Sequence, residues 1–116
     1  MNVSLHHVSI GVNDVAAAVE FYERLGMTVS DARPAFSFDG AWLQIGAQQL
    51  HVIKIDVPIQ RGANHFALRV DDLDACVAEL EAAGLSVRRT TYTPGAGRQA
   101  VVLDPSGNAV ELNQPD

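Results

Sequence analysis

The sequence predicts an α+β fold built from two βαβββ modules. A shift of 58 residues, the step from His7 to His65, lays the chain over itself, pairing Val12 with Val70, Asp14 with Asp72 and Gly26 with Gly84. Each half then opens on strand-like alternation followed by a helical stripe. Each stripe is bracketed by an aspartate before it and a glycine after it. A structural unit written twice is the usual source of such self-similarity.

The elements follow in order. Val8, Ile10 and Val12 alternate with His7, Ser9 and Gly11, the period of a strand. Asp14 stands where a helix N-cap belongs, its carboxylate able to accept from free first-turn amides. Val15, Ala18, Val19, Tyr22 and Leu25 recur at helical spacing and form an apolar stripe. Gly26 ends the helix, since the left-handed position after a helix costs glycine least. "MTVSDA" reads as a second strand, and "AWLQIG" with "QQLHVIKI" as a hairpin.

The second half repeats the pattern. Phe66, Leu68 and Val70 alternate with His65, Ala67 and Arg69. Asp72 caps a helix whose stripe is Leu73, Cys76, Val77, Leu80 and Ala83, and Gly84 stops it. "LSVRRT", "RQAVVL" and "NAVELNQ" supply the remaining strands. The last two are joined by "DPSG", in which Pro fixes φ and Gly closes a type I turn. "DVPIQRGAN" carries Pro and Gly and joins the halves. The expected division is therefore one domain, 1–116, made of modules 1–57 and 63–116 with a linker over 58–62.

Composition narrows the function. Hydrophobic residues make up 47% and charged residues 19%, typical of a soluble globular protein. The net charge of −6 argues against a sequence-independent grip on nucleic acid or on an anionic membrane, which need clustered cations. Cys76 is the one cysteine, so no intrachain disulfide forms and a reducing compartment is expected. The N-terminal residues lack a basic region and a long apolar run, so a cytoplasmic location is the expectation. No apolar run approaches the length of a membrane span.

Strand parity is the most informative reading. Val8, Ile10 and Val12 should face the helix, which turns His7 to the other side of the sheet. Phe66, Leu68 and Val70 do the same for His65. In the last strand of each half, Leu50 and Val52 flank His51, and Val110 and Leu112 flank Glu111. Aligning "QLHV" with "AVEL" puts His51 and Glu111 in one slot. Three imidazoles and one carboxylate then leave matching strand positions on the face away from the helices, a donor set for a divalent metal. A lone strand histidine is more often a satisfied or exposed side chain, and the repeat equivalence of four positions favours ligation. His6, with opposite parity to His7, is expected in solvent or at an interface.

With "HHVSIGVNDVAAAVEFYERLGM", "NHFALRVDDLDA" and "DPSGNAVEL" on the page, the chain resembles the vicinal oxygen chelate superfamily. That superfamily holds glyoxalase I, methylmalonyl-CoA epimerase, extradiol dioxygenases, fosfomycin-resistance thiol transferases and bleomycin-resistance proteins. The resemblance implies paired βαβββ units whose mixed sheets form a U-shaped cavity around a metal such as Zn, Ni, Fe(II), Mn or Co. It assigns the ligand positions to His7, His51, His65 and Glu111. It further implies a homodimer, with His7 and His51 from one chain and His65 and Glu111 from the other.

The chemistry implied is that of a metal-dependent lyase or isomerase of glyoxalase type. Its substrate would be a small molecule with vicinal oxygens, and it would work through a metal-stabilised enediolate. Glu111 would be both ligand and catalytic base. In glyoxalase I both such carboxylate positions are glutamates, whereas His51 fills one of them here. The set loses a negative charge, which favours an anionic ligand. Two alternatives stand beside it. One is an Fe(II) extradiol-type dioxygenase, using His7, His65 and Glu111 as a two-histidine, one-carboxylate triad. The other is a small-molecule or antibiotic binding or resistance protein. Among further candidates, Arg98 is read as reaching an anionic substrate or as a solvated strand-end residue. Arg69 shares the parity of His65 and points into the cavity or pairs at a dimer seam. Trp42 fits either core or cavity wall, and Gly95 and Gly97 make "TPGAGR" a mobile lid or a plain turn. Cys76, within a helix stripe, is read as packing.

Overall fold

The computed structural model describes all residues, Met1–Asp116. The chain divides into two compact units, Met1–Gln60 and Arg61–Asp116. The first contains β1 (His7–Val12), α1 (Val15–Arg24), β2 (Thr28–Ser30), β3 (Gly40–Ile45) and β4 (Gln48–Lys54). The second contains β5 (Phe66–Arg69), α2 (Leu73–Ala82), β6 (Val87–Arg89), β7 (Arg98–Leu103) and β8 (Ala109–Gln114). Each unit is therefore βαβββ, as the repeat predicts, and the fold is α+β.

The sheets are mixed. Their orders are β1-β4-β3-β2 and β5-β8-β7-β6. The first strand of each unit runs parallel to the last, because the intervening helix crosses over the sheet. The remaining pairings are antiparallel.

The helix boundaries follow from local chemistry. Asp14 accepts a 3.0 Å hydrogen bond from the Ala17 amide, and Asp72 accepts one of 3.0 Å from Ala75. Past the helices, Gly26 (φ 95°) and Gly84 (φ 88°) occupy the left-handed region that other residues enter at a cost. Asp72→Ala is expected to lower stability by about 1 kcal/mol, read from the urea midpoint at unchanged slope.

The buried stripes differ from expectation in detail. In α1 the buried residues are Ala18, Phe21 and Tyr22, while Val15, Val19 and Leu25 are half-buried. Phe21 joins the stripe because it lies three residues after Ala18, on the same side of the helix. In α2, Leu73, Val77 and Leu80 are buried and Cys76 is half-buried. Ala83 is exposed, since it is the C-cap and has left the packed face. Burial, followed by the charges of Glu79, Asp72 and Asp71, pushes the Cys76 thiol up, consistent with a packing role and not with a nucleophile.

The sheet residues facing each helix form the core. They are Val12, Leu43, Leu50 and Val52 in the first unit, and Ala100, Val102, Val110 and Leu112 in the second, none more than 1% exposed. The "DPSG" turn is closed by the Gly107 amide on the Asp104 carbonyl at 2.9 Å. The buried Asp104 carboxylate also accepts from the Ser106 and Asn108 amides and the Asn108 side chain, each at 2.9 Å. This turn fixes the β7–β8 register and so sets Glu111 opposite Val101. No helix is long and apolar enough to cross a membrane.

Candidate metal centre

Each unit presents two of the four expected ligands side by side, on the sheet face away from its helix. In the second unit, His65 lies one residue before β5, and Glu111 lies on β8 between the buried Val110 and Leu112. His65 Nε2 stands 3.2 Å from Glu111 Oε1. Glu111 Oε2 accepts a 2.9 Å hydrogen bond from the Asn113 side-chain amide, which orients the carboxylate.

The partners assign the protons. His65 Nδ1 is 2.8 Å from the Ala63 carbonyl, which can only accept, so Nδ1 carries the hydrogen. In the neutral ring Nε2 is then a bare lone pair aimed at a carboxylate oxygen. Two lone pairs at that separation repel unless a cation lies between them, either a proton on the ring or a metal ion. Two donors about 2.1 Å from one divalent ion, at roughly 90–109° to each other, would be ~3.0–3.4 Å apart. Both the separation and the chemistry of this pair fit such an ion.

In the first unit, the His7 and His51 rings stack at 4.1 Å, tilted by 18°. His51 is also stacked on Trp42, its cross-strand partner, at 4.2 Å and 3°. A chain of amides fixes the His51 tautomer. Gln44 donates to the Gly46 carbonyl (2.8 Å), which can only accept. Gln44 Oε1 therefore accepts from Gln49 (3.2 Å), and Gln49 Oε1 is left to accept from His51 Nε2 (2.8 Å). The free lone pair of His51 is thus on Nδ1. Nε2 donates to Gln49 Oε1, a hydrogen bond of the kind that orients metal-binding histidines.

His6 is exposed, as its position predicts, but it also contacts His7. Its Nδ1 lies 2.8 Å from His7 Nδ1. Parity within the strand does not govern it, because β1 begins only at His7. For His7 to offer Nε2 to a ligand, its Nδ1 must donate to His6.

Burial, then the charges of His7, His6 and Arg33, pushes the His51 imidazole below its ordinary value of 6.5. The ring therefore stays neutral, and able to ligate, at lower pH than an unperturbed histidine. Because the unfolded chain binds that proton more readily, His51 costs stability as pH falls below the ordinary histidine range. An NMR titration of metal-free protein is expected to show a His51 midpoint below that of the denatured chain.

The remaining candidates separate by parity. Trp42 lies on the His51 face, half-buried and stacked on that ring, and not among the core side chains. Arg69 is exposed and pairs in register with Asn113, on the Glu111 face. Arg98 does not reach that face. It shares the parity of the buried Ala100 and Val102, and its guanidinium forms a fork onto Asp74 of α2 at 2.8 and 3.2 Å. Arg89 joins the same carboxylate at 2.8 Å. The Arg98 hydrogen bond is the main reason the Asp74 carboxyl is held below the usual range. Arg98 thus ties sheet to helix, and it also lines a cavity with Tyr92, Gln114, Pro115 and Asp116. Gly95 lies within, and Gly97 just after, a turn closed by the Ala96 amide on the Thr93 carbonyl at 3.0 Å. In neither unit do three or more His, Cys, Asp or Glu side chains form a group able to hold a metal ion.

Residues 4–112 match the model of the Glyoxalase/Bleomycin resistance protein/Dioxygenase superfamily, and the chain belongs to that family. It is 29% identical to the uncharacterised protein YaeR of Escherichia coli strain K12, over 93% of each chain. It is 30% identical to TnmS3, an antibiotic binding protein from Streptomyces sp. CB03234, covering 100% of this chain and 99% of that one with a TM-score of 0.78. The fold also matches a mutant of the fosfomycin resistance protein FosX from Listeria monocytogenes complexed with Mn(II) and 1S,2S-dihydroxypropylphosphonic acid. That match has 17% identity, 100% and 95% coverage and a TM-score of 0.86.

Proposed function

We propose that the protein is a metal-dependent enzyme of glyoxalase type, a lyase or isomerase acting on a small substrate with two adjacent oxygens. The carrying observation is the His65–Glu111 pair, an imidazole nitrogen and a carboxylate oxygen 3.2 Å apart at the separation two ligands of one ion would have. The Mn(II) and the vicinal diol in the FosX complex support the reading. Two ligands are too few for a divalent ion in a protein. The proposal therefore pairs two half-sites across a homodimer, His7 and His51 from one chain and His65 and Glu111 from its partner. Its setting is a reducing, cytoplasmic one.

When bound, a divalent ion supplies Lewis acidity to adjacent substrate oxygens and lowers the acidity barrier at the neighbouring carbon. The chain supplies the rest. Glu111 is mostly shielded from water, 14% exposed, with Oε2 held by Asn113, so Oε1 is the oxygen that would ligate the ion and, on leaving it, take and return a proton. His51 stays neutral where a second carboxylate would carry charge. The four side chains then offset only part of a dication, and the remaining positive field holds an anionic substrate.

Elemental analysis and a substrate panel test this. Purified protein is expected to hold close to one divalent ion per chain and to turn over a hemithioacetal before a catechol or an acyl-CoA epimer. Metal-dependent oxygen uptake with a catechol would instead establish the dioxygenase reading. Absence of metal from both native and reconstituted protein would establish the second reading, capture of a small molecule. The stacked rings around Trp42 and the likeness to TnmS3 favour that second reading over the dioxygenase.

A further inference from the structure

We propose that the loop before β3, together with Trp42, binds a planar aromatic anion, with its ring on the indole and its acid group on Arg33. The inference rests on the reading that the face of the first sheet carrying His51 is the ligand-facing one, and it names the class of molecule that face takes.

The first observation is a run of rings. His51 covers one face of Trp42. Phe36 stands 6.3 Å from Trp42 with the planes opened to 52°, so it does not stack, and no further ring lies against the indole. Phe36 is itself stacked on Phe38 at 4.8 Å and 14°. Both phenylalanines are more than 40% exposed, although ordinary folding would bury them. The result is a wedge of π-faces opening outward from the candidate metal ligands.

The second observation is a cation held at the same place. The Arg33 guanidinium lies 5.1 Å from the Phe36 centroid and 5.3 Å from that of Phe38, and it donates to the Phe38 carbonyl at 2.8 Å. It forms no ion pair with any carboxylate, although acidic residues outnumber basic ones, 14 to 8. Gly40 lets the guanidinium lie close to the backbone, since a Cβ there would clash with the Val52 carbonyl oxygen and come within 3.2 Å of Nη2. Arginine on aromatic faces is preorganised for a planar, bidentate acid. An unpaired positive charge repels a cationic ligand and leaves a neutral arene with an unused partner. A planar anion satisfies both halves of the surface.

Trp42 is the one tryptophan, so its fluorescence reports the site directly. Metal-free full-length protein would be titrated with 2-naphthoate, 2-naphthalenemethanol and cyclohexanecarboxylate, with calorimetry alongside. Saturable quenching by 2-naphthoate is expected, with the neutral arene weaker and the non-aromatic acid not binding. Arg33→Gln is expected to weaken 2-naphthoate about tenfold or more and to leave the alcohol unchanged. Phe36→Ala should weaken both arenes. No saturable binding of 2-naphthoate, equal binding of the cyclohexane acid, or an Arg33→Gln protein as tight as wild type would each overturn the inference. Because the titration is run without metal, its failure is separate from failure of the metal reading, which elemental analysis decides.

Discussion

Glu111→Gln is expected to leave the protein unable to retain a divalent ion through dialysis while it remains folded. The substitution preserves shape and the contact with Asn113, but removes the one carboxylate among the four ligand positions. It also removes the negative charge that the His65 Nε2 lone pair faces across 3.2 Å. The loss should exceed the ~10–100-fold typical of changes behind a ligand. Gln49→Leu supplies that smaller benchmark. It cuts the amide chain that gives His51 its Nε2 proton, so it should cost about 10–100-fold in metal affinity without unfolding the sheet. Competition with a chromophoric chelator measures both. If Glu111→Gln bound metal as tightly as wild type, His65 and Glu111 would be an ordinary ion pair.

Leu50→Ala is expected to lower stability by about 2–5 kcal/mol, and its neighbour His51→Ala by only about 1 kcal/mol. Leu50 is fully buried beneath α1, where truncation opens a cavity. His51 points the other way and loses ring stacking but little buried area. Urea unfolding at fixed protein concentration reads both, and metal content should show the reverse order. A His51→Ala protein as destabilised as Leu50→Ala would place the imidazole in the core.

Much of this was legible before any coordinates, because both regular periods are one-dimensional. Alternation around His7, His51 and Glu111 fixes which side of a sheet each leaves, and the caps Asp14 and Asp72 announce the helices. What the periods do not carry is a side chain's partner. The parity Arg98 shares with Ala100 and Val102 is in the sequence, but its partner Asp74 on α2 is not. Gln44 and Gln49 look like ordinary strand polar residues, and only the Gly46 carbonyl reveals the direction of their hydrogen bonds. His6 lies just outside the strand, where alternation has no authority. Arg33, Phe36 and Phe38 lie in a loop without period. The alternating "FSF" was the one hint that two rings there share a side.

The two shortest strands, β2 and β6, are also the outermost on their side of each sheet. An open border offers unpaired amides to any passing chain, and fibril growth begins on such templates. Three residues give little purchase. Arg88 and Arg89 charge one border, while Thr28 and Ser30 bracket the lone apolar Val29 on the other. Those two borders are thereby guarded against runaway sheet extension when crowded, without being buried.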